Sequence, residues 1–177
     1  MIIRAEIIDQ PFSGKYEEII YDVESCWNSS FWTYIKFINI DSKEWCGVFR
    51  GRSGQVSISM KHNIALILTN DYLFQLDINT YNILKTEGRP QYHEITESPN
   101  ENFILSDFYN LYKITHDIDL VETIDCPIEM DDISLKDWNG SKLEFMCEEF
   151  GAWTRHYIME YDCVTNMISI KEKIQTA

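Results

Sequence analysis

The chain has 177 residues, the usual length of one domain, and 45 % of them are hydrophobic, enough to bury a sizeable core. A formal net charge of −14 argues against nucleic acid or an anionic membrane as partner, and favours a basic protein instead. Five scattered cysteines with no Cys-x-x-Cys spacing (Cys26, Cys46, Cys126, Cys147 and Cys163) argue against a disulfide framework and a structural zinc site. With no signal-like or bilayer-length apolar run, the expected setting is the cytoplasm, with no cofactor and no metal.

Ten Tyr, nine Phe and five Trp occur beside only four alanines (Ala5, Ala65, Ala152 and Ala177). Flat and branched side chains pack well on a pleated surface, and a helical chain would use more alanine, so the predicted class is all-β. From the N-terminus, Tyr16 to Trp27 is readable as helix through Ile19, Val23 and Cys26. It is equally readable as a strand through Glu18–Val23, and strand is preferred. Trp32 to Ile38 predicts a strand, Asn39 to Lys43 a turn, and Trp45 to Phe49 the partner strand. Strands follow at about 55–60, 63–69, 72–77 and 82–86, then at about 92–96, 102–106, 109–115 and 119–124. The last group is Ile128–Trp138 and Lys142–Cys147 around Asn139-Gly140, a two-residue hairpin signal, then 153–162 and 167–173.

These groups repeat. Leu73-Phe74 and Leu76 match Leu111-Tyr112 and Ile114 at an offset of 38 residues, while Asp77 and Thr80 match Asp162 and Thr165 at an offset of 85. Asp-x-x-Thr has a local cause: the Asp carboxylate accepts from backbone amides further along the turn, and the Thr closes its other side. It therefore predicts a hairpin turn and not a site. Four modules result, at about 1–53, 54–89, 90–126 and 127–177, within a single β-repeat domain.

Through Leu73-x-x-Leu76-Asp77-x-x-Thr80 the chain resembles β-propellers of the WD and quinoprotein-repeat kind, although the glycine usual after the Thr is replaced by Tyr81. Trp45-Cys46-Gly47-Val48-Phe49-Arg50-Gly51 is similar to a stretch in short, uncharacterised bacterial proteins. The resemblance implies a four-bladed β-propeller-like arrangement of four-stranded antiparallel sheets; a β-sandwich or an open barrel is the alternative.

Chemistry is sparse in the pattern. There is no phosphate loop, dinucleotide fingerprint, nucleophile elbow or His-Glu-x-x-His motif, and His62, His93, His116 and His156 lie far apart. No catalytic residue is assigned. Asp117-Ile118-Asp119 puts two carboxylates on one side of a turn but lacks the further ligands of a calcium loop. Residues 1–90 carry 9 basic and 11 acidic side chains, a net of −2, whereas residues 91–177 carry 6 and 18, a net of −12. The partner-binding candidates are accordingly Asp131, Asp132, Glu148 and Glu149 in the acidic half, with Trp138 beside the hairpin. Arg50 and Arg52 join them from the glycine-punctuated Phe49–Gln55 loop, where guanidinium groups can grip a carboxylate or phosphate. Trp27, Phe31 and Trp32 around Asn28-Ser29-Ser30 are expected to present rings at one end of the domain. The function expected is a non-enzymatic acidic protein-binding module, in concrete form an immunity or inhibitor protein for a basic partner. A small hydrolase or carbohydrate-binding propeller is the alternative, and the oligomeric state is left open.

Overall fold

The computed structural model describes residues 1–52 and 54–175; Ser53, in the arginine loop, lies outside them. The described residues are all-β, with sixteen strands in four four-stranded sheets. They fall into two compact units, Met1–Gln91 and Tyr92–Ala177.

In the first unit, one sheet is built from β1 (Ile2–Ile8), β2 (Glu17–Tyr21), β3 (Trp32–Asn39) and β4 (Glu44–Arg50), in the order β1-β3-β4-β2. Of the ambiguous stretch Tyr16–Trp27, Glu17–Tyr21 is thus a strand, which ends before the expected Val23, and residues 22–27 follow as loop and turn. The sheet differs from the expected all-antiparallel arrangement in one respect, because β2 runs parallel to β4. The cause is the path of the chain. Residues 9–16 carry it from β1 at one edge to β2 at the other, so β2 keeps the direction of β1, and only β3 and β4 are joined as a hairpin. Along β3 the side chains alternate: Thr33, Ile35, Phe37 and Asn39 are buried, while Trp32, Tyr34, Lys36 and Ile38 are half-buried. This period of two is what a sheet with one core-facing side requires.

The second sheet is an antiparallel meander of β5 (Gln55–Ser59), β6 (Ile64–Leu68), β7 (Tyr72–Asp77) and β8 (Ile83–Gly88). All five residues of β6 are buried, which explains its unbroken apolar run. Ile35, Phe37, Trp45 and Phe49 pack with Ala65, Ile67, Phe74 and Leu76 in one core. Aromatic pairs fill it: Tyr21 stacks on Phe49 at 4.5 Å and Phe37 on Trp45 at 4.6 Å between ring centroids.

In the second unit, β9 (Glu94–Glu97), β10 (Phe103–Ser106), β11 (Leu111–Ile114) and β12 (Val121–Ile124) form one meander. A longer one follows in β13 (Met130–Asn139), β14 (Lys142–Glu149), β15 (Ala152–Asp162) and β16 (Met167–Gln175). Ile104, Leu111 and Ile124 share a core with Met130, Leu143, Phe145, Tyr157, Met159 and Tyr161. The β13–β14 loop is Gly140-Ser141, one residue later than Asn139-Gly140, because Asn139 pairs with Lys142. Gly140 takes φ +61°, and glycine at the first central position suits a type II′ hairpin, so the register follows the glycine.

The Asp-x-x-Thr turns form as their chemistry dictates. Asp77 Oδ1 accepts from the amides of Asn79 (2.7 Å) and Thr80 (2.8 Å), and Asp162 Oδ1 from that of Val164 (2.9 Å). The next residue is left-handed in both, Tyr81 at φ +65° and Asn166 at φ +58°. Both non-glycine residues are held there by other contacts: Tyr81 lies 4.9 Å from the Trp45 ring and its carbonyl accepts from Tyr21, and Asn166 Oδ1 accepts from the Tyr161 hydroxyl.

Candidate functional site

Two surface features gather chemistry, one in each unit. In the second unit a groove of about 350 Å³ is formed by the β10–β11 turn, the β12–β13 connection and the β14–β15 turn. Asp107 positions its first wall. Its Oδ1 accepts from the amides of Tyr109 (2.7 Å) and Asn110 (2.6 Å), its Oδ2 accepts from the Tyr112 hydroxyl (2.7 Å), and the tight turn thereby projects the ring of Tyr109 outward. The opposite wall is Phe150, at the turn that Gly151 completes with φ +74°. The Phe150 amide donates to the Glu129 carbonyl at 2.9 Å, fixing the connection against the turn. Tyr109 and Phe150 meet edge to face at 6.0 Å and are 49 % and 55 % exposed.

Between and beside these rings lie Ile128, the half-buried Cys126 and two exposed carboxylates, Asp125 and Glu129. Burial pushes the Cys126 thiol pKa up, which favours its neutral form in the groove lining. Asp125 and Glu129 form no ion pair among the described residues, in contrast to Glu148 and Glu149 at the end of β14. There, Glu149 accepts from Arg155 at 3.1 Å and from the Tyr157 hydroxyl at 2.8 Å, which together hold its carboxyl below the usual range, the tyrosine having the larger effect. Glu148 lies 3.3 Å from His156 and is the cross-strand neighbour of Asp131. Asp132 sits at a bulge with φ +48°, its amide bonded to Asp131 Oδ1. All four acids therefore stand at the same end of β13 and β14 as Glu129 and Phe150. Trp138 is at the other end of β13, half-buried, donating to Thr96 at 3.1 Å and packed edge-on against Tyr161.

In the first unit Trp32 is the cross-strand neighbour of Arg50, so the residues before Trp32 and after Arg50 share one corner. The ring turn and the arginine loop, far apart in the chain, become a single feature. Arg50 stacks on Trp32 and Arg52 on Phe31, each 3.6 Å from the ring centroid, and Arg89 lies 4.9 Å from Trp27. Arg50 is a strut: its side chain is 16 % exposed, paired with Asp22 at 2.7 Å and bonded to the carbonyls of Val23 (3.2 Å) and Ser29 (3.5 Å). Arg52 and Arg89 are exposed. The β6–β7 turn organises them. Asn70 bonds the Arg52 backbone through both its side-chain oxygen and its amide, its carbonyl accepts from the Trp27 indole at 2.8 Å, and the Asp71 carbonyl accepts from the Arg89 amide.

Sequence reasoning singled out Arg50, Arg52, Trp27 and Phe31 but missed Arg89, and in the acidic half it missed Asp125, Glu129, Tyr109 and Phe150. Phe150 before a glycine at a strand end, and Tyr109 two residues after a turn-forming Asp, carry the available signal, since a ring in a tight turn has no core to enter. Among the described residues no three His, Cys, Asp or Glu side chains are placed to hold a metal ion, and no helix is long and apolar enough to cross a membrane. No protein-family model matches the chain, and comparison with curated proteins finds no match.

Proposed function

We propose that the chain is a protein-binding module that takes a basic side chain of a partner protein into the groove beside the contacting rings of Tyr109 and Phe150. The observation that carries this is the pairing of two half-exposed rings with two carboxylates, Asp125 and Glu129, that form no ion pair among the described residues. A guanidinium entering there lies against ring faces and meets carboxylate oxygens, the two contacts that such a group forms most favourably. The net of −12 over residues 91–177 steers a basic surface toward it. An immunity or inhibitor protein that masks a basic partner is the concrete form of this reading. The four-stranded sheets also support a propeller-like repeat, with four blades, as the scaffold; an experimental structure of the whole chain tests that arrangement.

Titration with an arginine-rich peptide, followed by NMR, tests the groove. Shifts centred on Tyr109, Phe150, Asp125 and Glu129 are expected, together with at least tenfold weaker binding by D125N/E129Q. Equal binding by wild type and variant overturns the proposal.

A further inference from the structure

The corner on the first unit and the groove on the second are built alike and charged oppositely. The corner offers two exposed rings, Trp27 (57 % exposed) and Phe31 (47 %), with the guanidinium groups of Arg52 and Arg89 lying on them. The groove offers two exposed rings with two carboxylates. In a chain where acids outnumber bases by 29 to 15, a basic side chain readily finds a carboxylate. Lys36, Lys43, Arg50, Lys113, Lys142, Arg155 and Lys171 all do so. Arg52 and Arg89 form no ion pair among the described residues: Arg52 lies over the Phe31 ring, and Arg89 lies over Trp27 and donates from Nη2 to the Cys26 carbonyl at 3.1 Å. Both guanidinium groups carry further N–H donors that suit a carboxylate.

We infer that the occupant of the corner is a second copy of this chain, which presents Asp125, Glu129 and the adjoining rings of its groove to Arg52, Arg89, Trp27 and Phe31. The inference rests on the groove reading above and names one partner for it. The contact is heterologous, since a basic patch on one copy meets an acidic patch on the next, so both patches remain available for further addition or for ring closure. Two chains of charge −14 repel at long range, but at physiological salt the Debye length of about 8 Å leaves only the local pairs to decide the fit. Salt dependence therefore mixes two opposing effects, and charge reversal is the cleaner probe.

Sedimentation of the full chain, as its concentration rises through about two decades into the millimolar range, should show reversible growth beyond the monomer. R52E/R89E and D125K/E129K should each be monomeric, with circular dichroism and melting unchanged from wild type. Mixed, they should associate again, because the intact groove of the first meets the intact corner of the second and the two reversed patches, an acidic corner and a basic groove, are themselves opposite in charge. A wild-type chain that stays monomeric overturns the inference, as does association that survives either reversal. An arginine peptide that fills the groove while the chain remains monomeric overturns this inference alone and leaves the groove reading standing.

Discussion

Replacing Arg50 by alanine separates a structural arginine from a surface one two residues away. Three contributions are lost. The pair with Asp22, whose side chain is 69 % exposed, is worth at most about 1 kcal/mol. The 3.6 Å contact with the Trp32 ring adds about 0.5–1 kcal/mol. The bonds to the Val23 and Ser29 carbonyls at 3.2 and 3.5 Å are long, and together add about 1 kcal/mol. Arg50→Ala should therefore cost about 2–3 kcal/mol of stability, with faster amide exchange across residues 22–31, the segment those bonds tie down. Arg50→Lys keeps the charge but not the fork, and should recover less than half. Arg52→Ala removes only an exposed ring contact and should cost about 0.5 kcal/mol or less. Urea unfolding of the three variants measures this. Equal losses at Arg50 and Arg52, or a loss below about 0.5 kcal/mol at Arg50, would refute the assignment of Arg50 as the strut.

Three further expectations concern the frame that holds the two surfaces. A side chain at Gly54 would place its Cβ 2.2 Å from Thr33 Cγ2, 2.9 Å from its Oγ1 and 3.0 Å from its Cβ, so Gly54→Ala should cost about 1–3 kcal/mol; Thr33→Ser removes the methyl, the closest of the three, and should restore part of the loss in a thermal melt, and no rescue at all would locate the strain elsewhere. Tyr161 is 1 % exposed and its hydroxyl donates to Asn166 at 2.9 Å; Tyr161→Phe should cost about 1 kcal/mol and Tyr161→Ala about 3–5 kcal/mol, read by denaturant titration. Burial, and then the charge of Glu101, pushes the Glu97 carboxyl up to about 7. The folded state thus holds this proton where the unfolded chain has released it, so Glu97 lowers stability progressively as pH rises from its ordinary value near 4.5 to about 7 and adds no further slope above that. Glu97→Gln should remove that slope and raise the melting temperature at pH 8 more than at pH 5; identical pH profiles for variant and wild type would contradict it.

The strands and turns were legible because their causes are local. Alternation along Trp32–Asn39, the unbroken apolar run of β6 and the amide-capping carboxylates of Asp77 and Asp162 act within a few residues, and the folded chain uses each as its chemistry requires. Where the reading departed from the structure, a distant contact was responsible. The parallel pairing of β2 with β4 depends on where residues 9–16 travel, which hydrophobic period does not encode. The hairpin loop lies one residue later than Asn139-Gly140 because Gly140 takes the first central position of the turn and Asn139 pairs with Lys142.

The candidate surfaces divide the same way. The sequence alone established that acidity belongs to residues 91–177, that arginines and rings occur near positions 27–52, and that repeated strand-turn-strand units build the chain. Tertiary structure alone decided that Arg50 is held by several bonds while Arg52 forms no ion pair among the described residues, that Arg89 joins the same corner from the end of β8, and that Tyr109 and Phe150 meet edge to face in a groove shared with Asp125 and Glu129. A charge or a ring is specified by its own residue. Its partner, its exposure and hence its chemistry come from residues tens of positions away, and only the pairing of strands brings them within a few ångströms.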